Sequence, residues 1–237
     1  SARSLVEDGG TKEKSQQRIH QNYWQLGKGL KDLGITVDAA PVADLLIPDA
    51  HDVIGDRAFA SDPNDVAAFA RACANGLGEA GVIPTVKHLP GYGRAAVDPH
   101  EELPIVRETE DFLKKSDFLP FQMLADLPWG MTSHLLFPEL DDKWPATLSK
   151  KIISDIIRDW IGFKGVLVTD CLFMKALSGT MPERIQRCLE VGCDLALHSH
   201  GELVDLEKAV VGMQPISDLS WERWEKSLDW VNEKTNY

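Results

Sequence analysis

The chain predicts an α/β fold of the (β/α)8 TIM-barrel type, of which about the last five βα units are present. Short β-type runs alternate with helix-period segments along the whole sequence, which is typical of parallel strands joined by right-handed crossovers. Polar residues gather at the carboxyl ends of these runs, where a barrel collects its active-site residues. No Gly-rich phosphate loop follows the first run, which disfavours the alternative of a doubly wound nucleotide-binding sheet.

The β-type runs are five in number, and most open with a glycine where a helical segment ends. They cover residues 34–42, 81–88, 129–137, 165–170 and 192–198. A closed barrel needs eight strands at roughly 30 residues per βα unit, so we expect three further units, about 75–90 residues, upstream of Ser1. The whole chain, 1–237, then represents one barrel domain lacking its N-terminal strands.

Four helices between these runs are well marked. Apolar residues recur on one face from Ile19 to Leu33, and Asp62 followed by Pro63 offers an N-cap for the next helix. Ser149 is placed to cap an isoleucine-rich helix, and a tryptophan-rich helix lies near residues 221–231.

Charge and composition restrict the partners. There are 37 acidic and 25 basic residues among 237, for a formal net charge of −12. No Lys/Arg run forms the basic face of a nucleic-acid-binding domain. No apolar stretch reaches the roughly 20 residues of a membrane span, and no signal-peptide core opens the chain. Four cysteines without a CxxC pair indicate reduced thiols. We therefore expect a cytoplasmic protein without nucleic-acid or membrane partners.

The segment from Lys87 to Pro104 is the most unusual in the sequence. Lys87 and His88 stand where a strand should end, and a Pro/Gly-rich loop follows. The loop ends in Asp98-Pro99-His100, and a carboxylate beside an imidazole orients the ring and raises its basicity, which suits proton transfer. The alternative is a surface turn with an incidental histidine.

Two further polar residues follow structured segments. Asp170 closes an apolar strand at the predicted barrel rim, as a nucleophile or electrostatic stabiliser would, although an N-cap for the next helix fits equally. Arg57 lies in a loop between strand and helix, where its guanidinium could clamp substrate oxygens or pair with Asp56 or Asp62.

The pattern Lys-His-x-Pro-Gly-x-Gly, then Asp-x-His, then a strand ending in Thr169-Asp170 resembles glycoside hydrolase family 3. The match is closer to its bacterial, NagZ-type β-N-acetylhexosaminidase branch. Supporting stretches lie at 40–45, 54–63, 162–166, 174–177 and 191–194.

This resemblance implies a retaining exo-β-N-acetylglucosaminidase that releases terminal GlcNAc from peptidoglycan-derived muropeptides during cell-wall recycling, without a cofactor or metal. It implies that Asp170 is the nucleophile and that His100 is the general acid/base with Asp98 as its dyad partner. Sugar-binding roles in the −1 subsite fall to the remaining matched residues, Arg57, Lys87 and His88.

Three positions depart from the family pattern. Tyr92 replaces the histidine of Pro-Gly-His-Gly, Pro99 replaces the serine of Asp-Ser-His, and Cys171 replaces the second aspartate of Ser-Asp-Asp-Leu. Pro99 fixes its own φ and restricts Asp98, which limits the conformations of the loop. We expect the nucleophile to survive the change at Cys171.

Two rival hypotheses remain. A metal-dependent barrel hydrolase would use histidines near strand ends, namely His88, His134, His198 and His200. A degenerate or truncated family member would act as a non-catalytic binding protein, although joint retention of the six site residues argues against it.

Overall fold

The computed structural model describes residues 1–7, 10–48, 50–199, 202–211 and 213–235. Four parallel strands form one sheet in the order β1-β2-β3-β4. They are β1 (Val37–Asp38), β2 (Ile83–Leu89), β3 (Trp129–Thr132) and β4 (Val166–Val168). Each strand pairs with the next one along the chain, and helices lie in the crossovers, which is the arrangement of a barrel of the (β/α)8 type. The predicted fold class is confirmed as a partial barrel.

Helices cover the outer face of this sheet and its N-terminal end. The α-helices are α1 (Ala2–Glu7), α2 (Lys12–Asp32), α3 (Pro63–Glu79), α4 (Glu110–Lys115), α5 (Leu119–Met123), α6 (Met181–Glu190), α7 (Leu203–Val211) and α8 (Asp218–Thr235). The Asp62 carboxylate accepts the backbone N–H groups of Asn64 and Asp65, which confirms the predicted cap of α3.

The isoleucine-rich segment is helical as predicted but forms a π-helix, Ile152–Trp160. Ser149 Oγ accepts the backbone N–H of Ile152 at its start. At its end the Ile161 N–H donates to the Ile156 carbonyl, five residues back. Adjacent pairs of buried isoleucines are compatible with both an α-helix and a π-helix, so the apolar spacing did not distinguish the two helix types.

The first and fifth predicted strands are less regular than expected. Only Val37–Asp38 of the run 34–42 is a strand, although the chain stays beside β2 through hydrogen bonds to the carbonyls of Ala40 and Pro41. In the run 192–198 one parallel bridge, Val168 to Leu195, joins β4. The Leu197 N–H donates to Thr169 Oγ1 and not to a backbone carbonyl, so a side chain replaces the ladder bond there.

A small apolar cluster fills the concave side of the sheet. It consists of Ile83, Trp129, Met131, Val166 and Val168. Helix α8 adds Trp224, whose ring centroid lies 5.3 Å from that of Trp129. Because these contacts involve the first residues of β2, β3 and β4, α8 closes the N-terminal end of the sheet, opposite the strand ends that carry polar residues.

All four cysteines, Cys73, Cys171, Cys188 and Cys193, are free and buried. Within the described ranges, none of the helices combines the length and apolarity that crossing a bilayer requires.

Asp194 connects α8 to the sheet through a buried ionic network. Its carboxylate accepts hydrogen bonds from Arg158 Nη2 at 2.8 Å, Arg223 Nη1 at 2.6 Å and Ser220 Oγ at 2.7 Å. It also accepts the Leu167 N–H of β4 at 2.8 Å. The side chain is 2% exposed, so removal of this one carboxylate leaves two guanidinium groups without their shared partner.

Asp194→Ala is expected to lower the free energy of unfolding by about 3–5 kcal/mol, because it uncouples two largely buried cations. Urea denaturation measures the change, with Asp159→Ala as the control, since Asp159 is exposed. The control should stay within about 0.5 kcal/mol of the parent protein. A loss below about 1 kcal/mol at Asp194, the scale of a surface ion pair, would contradict this role.

Candidate active site

The carboxyl ends of β2 and β4 bring Lys87, His88 and Asp170 together. His88 Nε2 lies 3.9 Å from Asp170 Oδ2. The pairing of β2 with β3 shifts register between Lys87 and Leu89, which interrupts the alternation of a strand. Two consecutive residues, Lys87 and His88, therefore both act electrostatically on Asp170.

Asp170 is a partly buried carboxylate, 22% exposed, whose surroundings favour its charged form. Burial alone would raise the pKa, but the His88 imidazole, the largest of the opposing influences, acts against it. The Cys171 N–H, which donates to Asp170 Oδ1 at 2.7 Å, and the Lys87 ammonium act in the same direction. The pKa of Asp170 consequently lies below its ordinary value of 3.8. An ionised, desolvated carboxylate with one oxygen restrained is suited to nucleophilic attack through the other.

Asp44 is a site residue that the sequence analysis did not single out. Its fully buried carboxylate accepts His88 Nδ1–H at 2.7 Å through Oδ2. Through Oδ1 it accepts the Tyr92 N–H at 2.7 Å and the His88 N–H at 3.3 Å. Asp44 thus orients the imidazole so that Nε2 faces Asp170. The available signal was a lone carboxylate inside the apolar run from Pro41 to Ile47.

Lys87 and Arg57 bring positive charge to the same region. Burial lowers the pKa of Lys87, and the Arg57 guanidinium lowers it further, while Asp170 opposes both effects. Arg57 belongs to a one-turn 3₁₀ helix, Gly55–Arg57, and its guanidinium donates to the Val53 carbonyl. The two predicted sugar-binding cations therefore lie within electrostatic range of one another, and Lys87 also lies within range of the candidate nucleophile.

Tyr92 occupies the centre of this group. The ring is 2% exposed and its centroid lies 5.5 Å from that of His88. Burial, followed by the negative charges of Asp98 and Asp44, raises the pKa of the phenol well above its usual value. Among the described residues its buried hydroxyl has no hydrogen-bond partner.

The Pro/Gly-rich loop has an anchored half and an outer half. Gly93 packs against the Leu45 carbonyl so closely that a Cβ atom would lie 2.4 Å from it, which requires glycine. Arg94 Nε donates to Asp117 Oδ2 at 2.7 Å. Beyond Ala95 the burial is mixed: Pro99 is buried, Asp98 is half-buried and residues 100–102 are exposed. The catalytic pair predicted from the sequence stands on this outer half of the loop.

Asp98 and His100 form the pair that the sequence predicts. His100 Nδ1 lies 2.7 Å from Asp98 Oδ1, which also accepts the His100 backbone N–H at 2.9 Å. That backbone hydrogen bond is the main reason that the pKa of Asp98 lies below its ordinary value. The His100 side chain is 64% exposed, whereas Asp170 is 22% exposed. The structure therefore confirms the local pairing and places the imidazole on an accessible part of the loop.

The outer half of the loop contacts the segment that follows Asp170. The Ala176 N–H donates to the Pro99 carbonyl at 3.1 Å, and Lys175 Nζ lies 3.0 Å from Glu101 Oε2. These contacts join the two strand ends that carry the predicted acid/base and the predicted nucleophile.

The histidines proposed as metal ligands make other contacts where the structure describes them. His88 pairs with Asp44, and His134 binds Thr147 and the Cys171 carbonyl. The His198 ring lies 5.8 Å from the ring of Phe173, and His200 lies outside the described residues. Across the part of the chain that the structure describes, no three His, Cys, Asp or Glu side chains are grouped to hold a metal ion.

A partial barrel with carboxylates and imidazoles at the carboxyl ends of its strands defines a (β/α)8-type protein with a candidate polar active site. Residues 9–225 match the family model described as "Glycosyl hydrolase family 3 N terminal domain". The chain belongs to glycoside hydrolase family 3, as its sequence motifs predicted.

Individual relatives agree with this assignment. The chain is 36% identical over 189 residues to a beta-hexosaminidase of Stenotrophomonas maltophilia, a match that covers 78% of this chain and 56% of that protein. It superimposes on NagZ from Neisseria gonorrhoeae with a TM-score of 0.85 at 28% identity, covering 100% of this chain and 70% of that one. A family 3 beta-N-acetylglucosaminidase from Paenibacillus sp. gives 0.84 at 30% identity, covering 100% and 46%. The chain spans a little over half the length of the beta-hexosaminidase that it matches.

We predict that His88→Gln raises the pKa of Asp170, because it removes the largest of the charges that oppose the effect of burial. A ¹³C carboxyl titration measures the pKa of Asp170 in the parent protein and in His88→Gln. The matched control is His20→Gln, a substitution on the outer helix α2. In the parent protein the lowered pKa means that ionised Asp170 contributes stability above the unfolded-state pKa, and this contribution is lost as the pH falls through the folded-state pKa. An unchanged titration in His88→Gln would contradict the assignment.

Proposed function

We propose that this protein is a glycosidase, specifically a retaining exo-β-N-acetylglucosaminidase that removes terminal GlcNAc from muropeptide fragments. The observation that carries the proposal is Asp170, held ionised in a partly buried position beside His88, while the loop that bears the Asp98–His100 pair contacts the segment that follows Asp170. A retaining glycosidase needs a nucleophile on one face of the anomeric carbon and a proton donor on the other.

In the first step, Asp170 Oδ2 attacks the anomeric carbon while the bond to the leaving oxygen breaks. His100, oriented by Asp98, donates its proton to that oxygen, and a covalent glycosyl-enzyme forms. In the second step, His100 takes a proton from water, which attacks the same carbon and releases Asp170. Two inversions retain the configuration.

The position of His100 supports closure over the substrate. Its side chain is largely exposed, on the outer half of a loop whose inner half is anchored by Arg94 and Gly93. Closure of this outer half over a bound sugar would place the donor and exclude water. Lys87, Arg57 and His88 would hold the sugar hydroxyls beneath it.

The substrate assignment draws on the relatives. NagZ from Neisseria gonorrhoeae is solved in complex with N-trifluoroacetyl-D-glucosamine, and the Paenibacillus protein is described as a beta-N-acetylglucosaminidase. By likeness to these proteins we propose a GlcNAc-carrying substrate, a role in peptidoglycan recycling and a cytoplasmic location. We further propose that residues 1–237 belong to one catalytic barrel domain.

Asp170→Ala is expected to lower hydrolysis of an aryl β-N-acetylglucosaminide by more than about 10⁴-fold, the scale for loss of a catalytic nucleophile. Added azide should restore turnover and yield the α-glycosyl azide, because azide attacks from the vacated face. Asp159→Ala, which removes an exposed carboxylate, is the matched control and should keep full activity. Persistent hydrolysis in Asp170→Ala would rule out Asp170 as the nucleophile. If the parent protein does not hydrolyse the substrate, the proposed activity is overturned.

His100→Ala should lower kcat/KM by about 10²–10⁴-fold for a disaccharide, whose leaving group needs a proton, and far less for a dinitrophenyl glycoside, whose leaving group does not. The comparison uses kcat/KM because this parameter reports the first chemical step. His20→Ala, whose imidazole pairs with Glu79 on the outer helices, is the control. Equal losses on both substrates would indicate that His100 has a structural role only.

A further inference from the structure

His134 is a fully buried imidazole that the proposed mechanism does not use. It follows β3 by two residues, and both of its ring nitrogens have partners. Nδ1 lies 2.8 Å from Thr147 Oγ1, and Nε2 lies 3.0 Å from the Cys171 carbonyl oxygen. The second contact reaches the residue next to the candidate nucleophile.

The hydrogen-bond partners determine where the His134 proton lies. A carbonyl oxygen only accepts, so Nε2 carries the proton. Burial lowers the pKa of His134, which favours the neutral ring and leaves Nδ1 as an acceptor. Thr147 Oγ1–H then donates to Nδ1, while Thr147 Oγ1 accepts the hydroxyl proton of Thr132 at 2.8 Å. The Ser133 carbonyl, 2.9 Å from Thr147 Oγ1, is the competing acceptor for that hydroxyl.

The peptide group between Cys171 and Leu172 is consequently held at both of its polar ends. Its carbonyl accepts from His134 Nε2, and its N–H donates to the Leu197 carbonyl at 2.9 Å. A planar peptide held at both ends restricts rotation about the adjoining bonds of Cys171. The Cys171 N–H therefore keeps its direction toward Asp170 Oδ1, which it reaches at 2.7 Å.

We propose that His134 is a positioning residue for Asp170, which restrains one carboxylate oxygen through the Cys171 backbone and leaves Oδ2 to attack. The inference rests on the proposed glycosidase function. It assigns to a histidine of the metal hypothesis a role as a neutral hydrogen-bond donor beneath the site.

Two substitutions of His134 distinguish the loss of its hydrogen bond to the Cys171 carbonyl from the replacement of the imidazole as such. The amide nitrogen of Gln takes the place of Nε2, so His134→Gln keeps a donor for the Cys171 carbonyl. The amide nitrogen of Asn takes the place of Nδ1, so His134→Asn loses that donor. Both variants are uncharged and neither titrates, so they differ chiefly in this hydrogen bond.

His134→Asn is expected to lower kcat on an aryl β-N-acetylglucosaminide by about 10–100-fold with KM within about twofold, since misplacement of a reacting group costs rate more than binding. His134→Gln should stay within about threefold of the parent kcat by the same reasoning. Equal losses of kcat in the two variants, or a change in KM alone, would overturn the proposal.

A second pair of variants keeps the test valid if substitution of this buried histidine prevents folding. Thr147→Val removes the hydroxyl that donates to Nδ1 and keeps the side-chain shape, whereas Thr147→Ser keeps the hydroxyl. We expect Thr147→Val to lower kcat with an unchanged KM and Thr147→Ser to restore it. Loss of kcat in both, or in neither, would overturn the proposal.

One readout is independent of catalysis and separates this inference from the proposed function. The Cys171 N–H lowers the pKa of Asp170, so a ¹³C carboxyl titration should show a higher pKa in His134→Asn than in His134→Gln. This difference is expected even if the parent protein hydrolyses no aryl glycoside, in which case only the proposed activity fails. Identical Asp170 titrations in the two variants would overturn the positioning role.

Discussion

The buried carboxylate of Asp44 joins the three segments that make up the candidate site. It lies in the loop after β1, accepts hydrogen bonds from the backbone N–H and the ring Nδ1 of His88 at the end of β2, and accepts the Tyr92 N–H from the Pro/Gly-rich loop. A fully buried carboxylate without such partners would cost several kcal/mol. The three segments are therefore brought together by folding itself, before any substrate binds, and the His88 ring is oriented as part of that process.

The site combines a restrained candidate nucleophile with an accessible candidate proton donor. Asp170 is held by the Cys171 N–H on one oxygen, and the His88 imidazole and the Lys87 ammonium favour its ionised form despite its burial. Among the described residues, the His100 side chain is held by its neighbour Asp98 alone, and it stands on the outer half of a loop. The chemistry of a retaining glycosidase needs this division, because the nucleophile must be aligned in advance while the donor must admit the sugar and its leaving group.

Much of this arrangement could be predicted from the sequence because it depends on neighbours in the chain. Apolar spacing located α2, α3 and α8, and the position of Lys87, His88 and Asp170 at strand ends predicted that they would share one edge of the sheet. The Asp98–His100 contact spans two residues, so its pairing follows from local geometry.

The contacts of Asp44 and His134 were not predicted because their partners are distant in sequence. Asp44 meets His88 across 44 residues, and His134 meets Cys171 across 37. Nothing in the local pattern around either residue distinguishes a positioning group from an ordinary buried polar side chain. The same reason explains the irregular fifth strand, where the Thr169 hydroxyl takes the place of a backbone acceptor.

Residue type, periodicity and short spacings were enough to predict the alternation of strands and helices, the family and the candidate nucleophile, acid/base and sugar-binding residues. Three properties of the site became known from the folded structure: which groups restrain those residues, how far the His88 ring lies from Asp170, and how exposed His100 is. Those properties depend on burial and on hydrogen bonds between distant segments, whose strength is set by the surrounding dielectric and geometry once the chain has folded.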